Sequence, residues 1–168
     1  PVEEATARGA WLSETRAARA SARAEARAER RERAWLGRFA AANARLLEAE
    51  EAPLLERYLA EVELGGLERR ARAPGLDGET ARRQLATLLA YTSTYLVGDA
   101  LDRGRPATAA VLLETALRVA PERTDLWVAL AHAQARSGSP GAALAALEAA
   151  VAHGFDDLAR LANEPDLA

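Results

Sequence analysis

The stretch LVGDALDRGRPATAAVLLETALRVAP, residues 96–121, returns at an offset of 34 as LAHAQARSGSPGAALAALEAAVAHGF, residues 130–155. Gly104 falls on Gly138, Pro106 on Pro140, Ala109 on Ala143, Leu113 on Leu147 and Ala116 on Ala150. A 34-residue period with small residues at fixed places marks a repeated pair of helices joined by a turn. Ala109, Ala116, Ala143 and Ala150 fall where the paired helices must approach, and larger side chains there would hold them apart. Leu96, Leu113, Leu130 and Leu147 fill the space between. Gly104 and Gly138 stand where the first helix of each pair ends, and Pro106 and Pro140 suit a first turn that needs no backbone donor.

Composition agrees with helices throughout. Alanine and leucine dominate while isoleucine is absent, so the chain is expected to be all-α. Its 168 residues suffice for one domain with a core, or a small domain plus an extension. The lack of cysteine excludes a disulfide framework, a thiolate nucleophile and a zinc–thiolate site. All 22 basic residues are arginine, a bias that reads as GC-rich coding and raises the background against which an arginine patch is judged. The lack of methionine gives the expectation of a processed protein or a piece of a longer one. No apolar run reaches the length of a membrane span.

Residues 1–52 carry only two glycines and are dense in Ala, Arg, Glu and Leu, which predicts one very long helix or two joined near Gly9. Residues 53–168 form the second expected unit. Within it Pro53 starts a helix that Gly65-Gly66 weakens after Leu64, and a short continuation covers 67–73. Ala73-Pro74-Gly75 and Asp77-Gly78 predict turns. Further helices are expected at 79–103, 106–119, 123–136 and 140–152, with a short one at 156–162. Two repeats rarely bury enough surface alone, so helices within 53–89 are expected to cap the first copy, with Leu54, Leu55, Tyr58, Leu59 and Val62 facing inward. The repeats then occupy 90–155. The tail, 156–168, together with Phe155 is expected to cap the other end through Phe155, Leu158 and Leu161.

The repeated residues resemble the tetratricopeptide repeat. Trp127, Leu130, Ala131, Ala143, Leu147 and Ala150 match its pattern in one copy, and Leu96, Ala109, Leu113, Ala116 and Pro121 match it in the other. Ser93 departs from the pattern where a large aromatic or leucine belongs, and Phe155 departs where proline belongs. The tail resembles one that follows the last repeat in modular bacterial proteins. The resemblance implies antiparallel helix–turn–helix repeats stacked as a superhelix, with the first helix of each pair lining a groove for a protein or peptide. Carried over residue by residue, groove positions are Tyr91, Thr94, Gly98, Leu101 and Asp102, then Asp125, Val128, His132, Ala135 and Arg136. The members that grip a terminal carboxylate use Lys and Asn where Thr94, Gly98, Val128 and His132 stand here, so that activity is not expected. The Tyr91–Tyr95 run offers aromatic and hydroxyl groups either to a peptide or to the cap.

Plotted as a helix, Ala10, Ala17, Ala20, Ala24 and Ala28 line up with Trp35, Phe39, Ala42 and Leu46 in one stripe. Residues 8–45 hold ten Arg and four Glu, a sum of +6, whereas 46–168 hold twelve Arg and nineteen acids, a sum of −7. Three readings follow. The helix is solvated with its stripe on its own body or a neighbour, or it pairs with a second copy through an antiparallel contact favoured by the charge difference. The third reading, nucleic acid or anionic lipid, is disfavoured because glutamates are interspersed and neither lysine nor interleaved aromatics are present.

Catalysis finds no foothold. His132 and His153 lack metal-ligand partners at helical spacing, the serines sit in no nucleophile-elbow context, and no phosphate-cradling glycine loop appears. No metal or cofactor is expected. The chain therefore reads as a non-catalytic interaction or scaffold module with a groove at Tyr91, Thr94, Asp102, Asp125, Val128, His132 and Arg136. The alternative is an accessory or oligomerisation segment of a larger bacterial polypeptide, enzymatic or not.

Overall fold

In the computed structural model, which describes residues 2–49 and 54–157, a single helix opens the chain. This helix, α1 (Val2–Glu48), passes through Gly9 without a break and is about 70 Å long. It is followed by α2 (Leu55–Glu61), α3 (Leu64–Ala71) and α4 (Gly75–Ala90). A wide π turn at Tyr91–Tyr95 joins α4 to α5 (Leu96–Asp102) as one continuous rod. Then come α6 (Pro106–Val119), α7 (Thr124–Arg136) and α8 (Pro140–Ala152). Every regular element among the described residues is helical, so the all-α expectation stands. The expected start at Pro53 and the capping residues Leu158 and Leu161 lie outside the described residues.

The repeat holds down to single hydrogen bonds. Gly104 and Gly138 take left-handed φ of 67° and 79°, a region open to glycine at little cost. After the first, the Arg105 amide donates to the Ala100 carbonyl (2.8 Å) and the Gly104 amide to Leu101 (2.9 Å). Thirty-four residues on, Ser139 donates to Gln134 (2.9 Å) and Gly138 to Ala135 (3.0 Å). Each pair closes the end of a helix in a Schellman motif, and Pro106 and Pro140 open the next helix. Ala109, Ala116, Ala143 and Ala150 are all buried, as close helix approach requires. The copies part at their ends. Ala120 ends α6 at φ −136° and ψ 71° ahead of a turn at Pro121, whereas Gly154 ends α8 in a third left-handed cap that places the Phe155 amide on the Ala150 carbonyl (2.9 Å).

The non-repeat helices pack as a cap, with corrections to their sequence reading. Tyr58 and Val62 are buried and Leu55 and Leu59 half-buried against the core, but Leu54 points to solvent one residue before α2 begins. Gly65 and Gly66 lie inside α3, and the chain breaks instead at Glu63, which takes a left-handed φ of 57°. A left-handed non-glycine residue costs about 1 kcal/mol. Two bonds from α1 hold this corner: the Trp35 indole donates to the Val62 carbonyl (3.0 Å), and Arg38 meets the Glu63 carboxylate (3.1 Å). Asp77-Gly78 is not a turn but part of α4, where Gly78 is buried.

Helix α1 has two lives. From Ala28 onward its stripe enters the common core: Trp35 stacks on Phe39 with centroids 4.9 Å apart, and Ala42, Leu46 and Leu47 follow. Ahead of Ala28, Ala17, Ala20 and Ala24 are exposed, so the first half projects past the body; the side chain of Ala10 is not described. Among the described residues, the ion pairs from α1 to other helices lie in the packed half, from Arg31–Asp77 (2.7 Å) and Glu32–Arg83 (3.4 Å) to Arg45–Glu61 (2.8 Å). The Arg45 guanidinium, with Arg57 beside it, keeps the Glu61 carboxyl below the usual range.

Arg105, in the turn between the first repeat's helices, donates to the carbonyls of Leu47 (2.5 Å) and Ala49 (2.7 Å) and so caps the end of α1. Orphan carbonyls at a helix C-terminus favour a cation. Arg105→Ala is expected to cost about 1.5–3 kcal/mol, the range for hydrogen bonds to a charged group. Amide exchange should quicken over residues 45–49 before the repeats respond, and uniform quickening would contradict a local cap.

Candidate functional site

The groove positions divide by what the fold does with them. Tyr91 is 46 % exposed and Tyr95, which follows one turn later, is 68 % exposed. Their rings lie 5.4 Å apart, and Phe39 of α1 meets Tyr91 edge-on at 6.0 Å. With Trp35 stacked beneath Phe39, four aromatic rings run from core to surface. Tyr91 leans on Phe39 of α1 and not on the expected cap helices, and it keeps nearly half its surface free. The value of Tyr95 and its link to Phe39 were missed. The signal was present as tyrosines four apart on one helical face, but Phe39 joins them only through tertiary packing.

The shelf exists because the rod widens there. The Leu96 amide donates to the Tyr91 carbonyl five residues back, and the buried Thr92 hydroxyl donates to the Leu88 carbonyl (2.8 Å). One extra residue in a turn shifts the phase of everything after it. It lets α4 address α1 and α3 while α5 addresses α6. Such π turns occur often at functional sites. Ser93, the departure from the repeat pattern, lies half-buried within this turn.

The remaining positions follow the repeat register. Thr94 is exposed, Gly98 and His132 are half-buried, and Asp102 and Arg136 are exposed at equivalent places in the two copies. Neither Asp102 nor Arg136 makes an ion pair among the described residues, so the same position presents an acid in one copy and a base in the next. Leu101 and Ala135 pack partly against the core. Val128 is corrected: at 7 % exposure it belongs to the buried side of α7 and offers little contact area. Asp125 is already engaged, because Arg123 grips both its oxygens (2.7 and 2.6 Å) and holds its carboxyl below the usual range.

At the far end Trp127 donates its indole N–H to the Pro121 carbonyl (2.8 Å) and stacks on His153 at 5.8 Å, a structural use for that histidine. Beside it, Gln134 donates to Glu114 (3.3 Å) while its own carbonyl oxygen is buried without a partner. Burial in the α6–α7 seam pushes the Glu114 carboxyl up, with Gln134 and Arg118 pulling against it. Among the described residues no group of three His, Cys, Asp or Glu could hold one metal ion. No helix is long and apolar enough to cross a membrane.

Comparison with known families adds one match. Residues 100–163 fit the family model described as tetratricopeptide repeat, and that match and the helical architecture support a tetratricopeptide-like repeat in this part of the chain. No curated protein and no solved structure matches the chain.

Proposed function

We propose that this tetratricopeptide-like protein is a non-catalytic interaction module whose partner seats on the tyrosine shelf and the adjoining groove. Repeats of this family generally mediate contacts between proteins and are generally non-catalytic. Tyr91, Tyr95, Thr94 and Asp102 supply the first copy's contacts, and His132 and Arg136 the second's. The observation that carries the reading is the exposed tyrosine pair fixed on a π turn and braced by Phe39. Tyrosine gives large contact area at low entropic cost and is enriched among the residues that dominate binding. Loss of one such anchor costs about 2 kcal/mol, roughly thirtyfold in Kd. Tyr91→Ala with Tyr95→Ala, and His132→Ala separately, should therefore abolish or weaken retention of a partner that the wild-type chain recovers. Arg118→Ala, away from the shelf, should retain it. Recovery of the same partner at the same affinity by all variants would remove the groove from consideration.

A second reading rests on the projecting half of α1, where Trp11 and Leu12 are exposed. A second copy pairing there, drawn by the opposite charges of helix and body, would make a dimer. Sedimentation equilibrium that shows monomers across the micromolar range, or dimers unaffected by salt, would count against it.

A further inference from the structure

The packed half of α1 and the start of α4 do not close on each other. Between them lies a cleft of about 530 Å³, within the range of small-molecule sites. Two bridges bracket it and tie its walls: Arg31 to Asp77 (2.7 Å) and Arg38 to Glu63 (3.1 Å). The two arginines are seven residues apart on one helix, so the opening between bridges is about 10 Å along the axis. That admits a small molecule and is too short for an extended peptide.

The lining is chemically lopsided. Three guanidiniums, Arg31, Arg38 and Arg70, face two carboxylates, Glu63 and Asp77, which leaves one positive charge. Arg31 and Arg38 each spend a single nitrogen on their bridges, and Arg70 makes no hydrogen bond or ion pair among the described residues. Gln84 lines the same cleft at 3 % exposure, and its amide makes no hydrogen bond among the described residues. On the α1 wall Ala34 is exposed, with Ala28 and Trp35 buried behind it.

We infer that this cleft binds a small carboxylate, with its anionic end on Arg70 and Gln84 and its body beside Ala34. One free positive charge suits one carboxylate, and a guanidinium beside an amide supplies several donors to it. The inference does not depend on the tyrosine shelf.

The test uses the full chain and three probes: benzoate, its neutral analogue benzamide, and inorganic phosphate. The readout is the indole N–H resonance of Trp35, whose donor bond to Val62 marks the cleft wall. Benzoate should shift it saturably, with benzamide and phosphate at least tenfold weaker. Arg70→Ala should weaken benzoate at least tenfold and Gln84→Leu severalfold, while Arg72→Ala, exposed and outside the cleft, leaves it unchanged. Unaltered thermal unfolding of the Gln84→Leu chain keeps the comparison valid should Arg70→Ala perturb the fold. No saturable shift at tens of millimolar benzoate means a cleft filled by solvent alone and overturns the inference. So does an equal response to benzamide, tighter binding of phosphate, or benzoate affinity that ignores both Arg70 and Gln84.

Discussion

Trp35→Ala is expected to destabilise the protein by about 3–5 kcal/mol, the range for truncating a buried aromatic residue. Against a total stability of about 5–15 kcal/mol for a folded domain, that is a large fraction. Three losses coincide. The indole is essentially sealed from solvent, stacks on Phe39, and donates to the Val62 carbonyl at the corner where Glu63 is held left-handed. Removing it opens a cavity, frees Phe39 to tilt away from Tyr91, and leaves a carbonyl unpaired. With a urea slope of about 2 kcal/mol per molar, the unfolding midpoint should fall by roughly 2 M. Trp35→Phe, which keeps a ring and loses the donor, should cost about 1–3 kcal/mol. Trp11→Ala, on the projecting half of the same helix, should change stability by no more than about 0.5 kcal/mol. Similar losses at Trp11 and Trp35 would mean that the first half of α1 is packed in solution.

The contrast shows how far sequence could reach. The Gly104–Pro106 and Gly138–Pro140 junctions were legible because their causes are local: a left-handed cap needs glycine, and a first helical turn tolerates proline. The buried alanines were legible because close approach repeats at a fixed period. The alanine stripe of α1 was legible as a stripe but not as a boundary. Nothing in Ala24 distinguishes it from Ala28, and only the length of the body decides which one is covered. The break at Glu63 was misplaced onto Gly65-Gly66 because its cause is tertiary, two bonds arriving from α1. The π turn left no composition signal that could be told from ordinary helix. For the tyrosine shelf, sequence supplied the two rings and tertiary packing supplied Phe39. The carboxylate cleft was out of reach altogether, since Arg31, Arg70 and Gln84 meet only when three helices do.

Gly78 turns this difference into a measurable sign. Asp77-Gly78 reads as a turn, yet Gly78 is a buried residue inside α4. A Cβ added there would lie 1.9 Å from the Ala73 carbonyl oxygen and 2.9 Å from its carbon. The obstacle is backbone, and it cannot swing aside. The Pro74 ring holds its own φ at −72°, and Arg82 donates to the Ala71 carbonyl (2.7 Å) across the same turn. Gly78→Ala gains about 1 kcal/mol in helix propensity but incurs an overpacking cost at or above the usual range of about 1–3 kcal/mol. The net expectation is a loss of about 2 kcal/mol, seen as a lowered urea midpoint. Gly98→Ala is the control within the same rod, because a Cβ there meets nothing within 4 Å. Propensity then acts alone and should stabilise by up to about 1 kcal/mol. The same substitution thus carries opposite signs twenty residues apart, decided by space and not by residue type. Gly78→Ala should also pull Asp77 off Arg31 and loosen the bridge between α4 and α1. Stabilisation at both positions would mean that the Ala73 turn yields freely and that the contact does not set the start of α4.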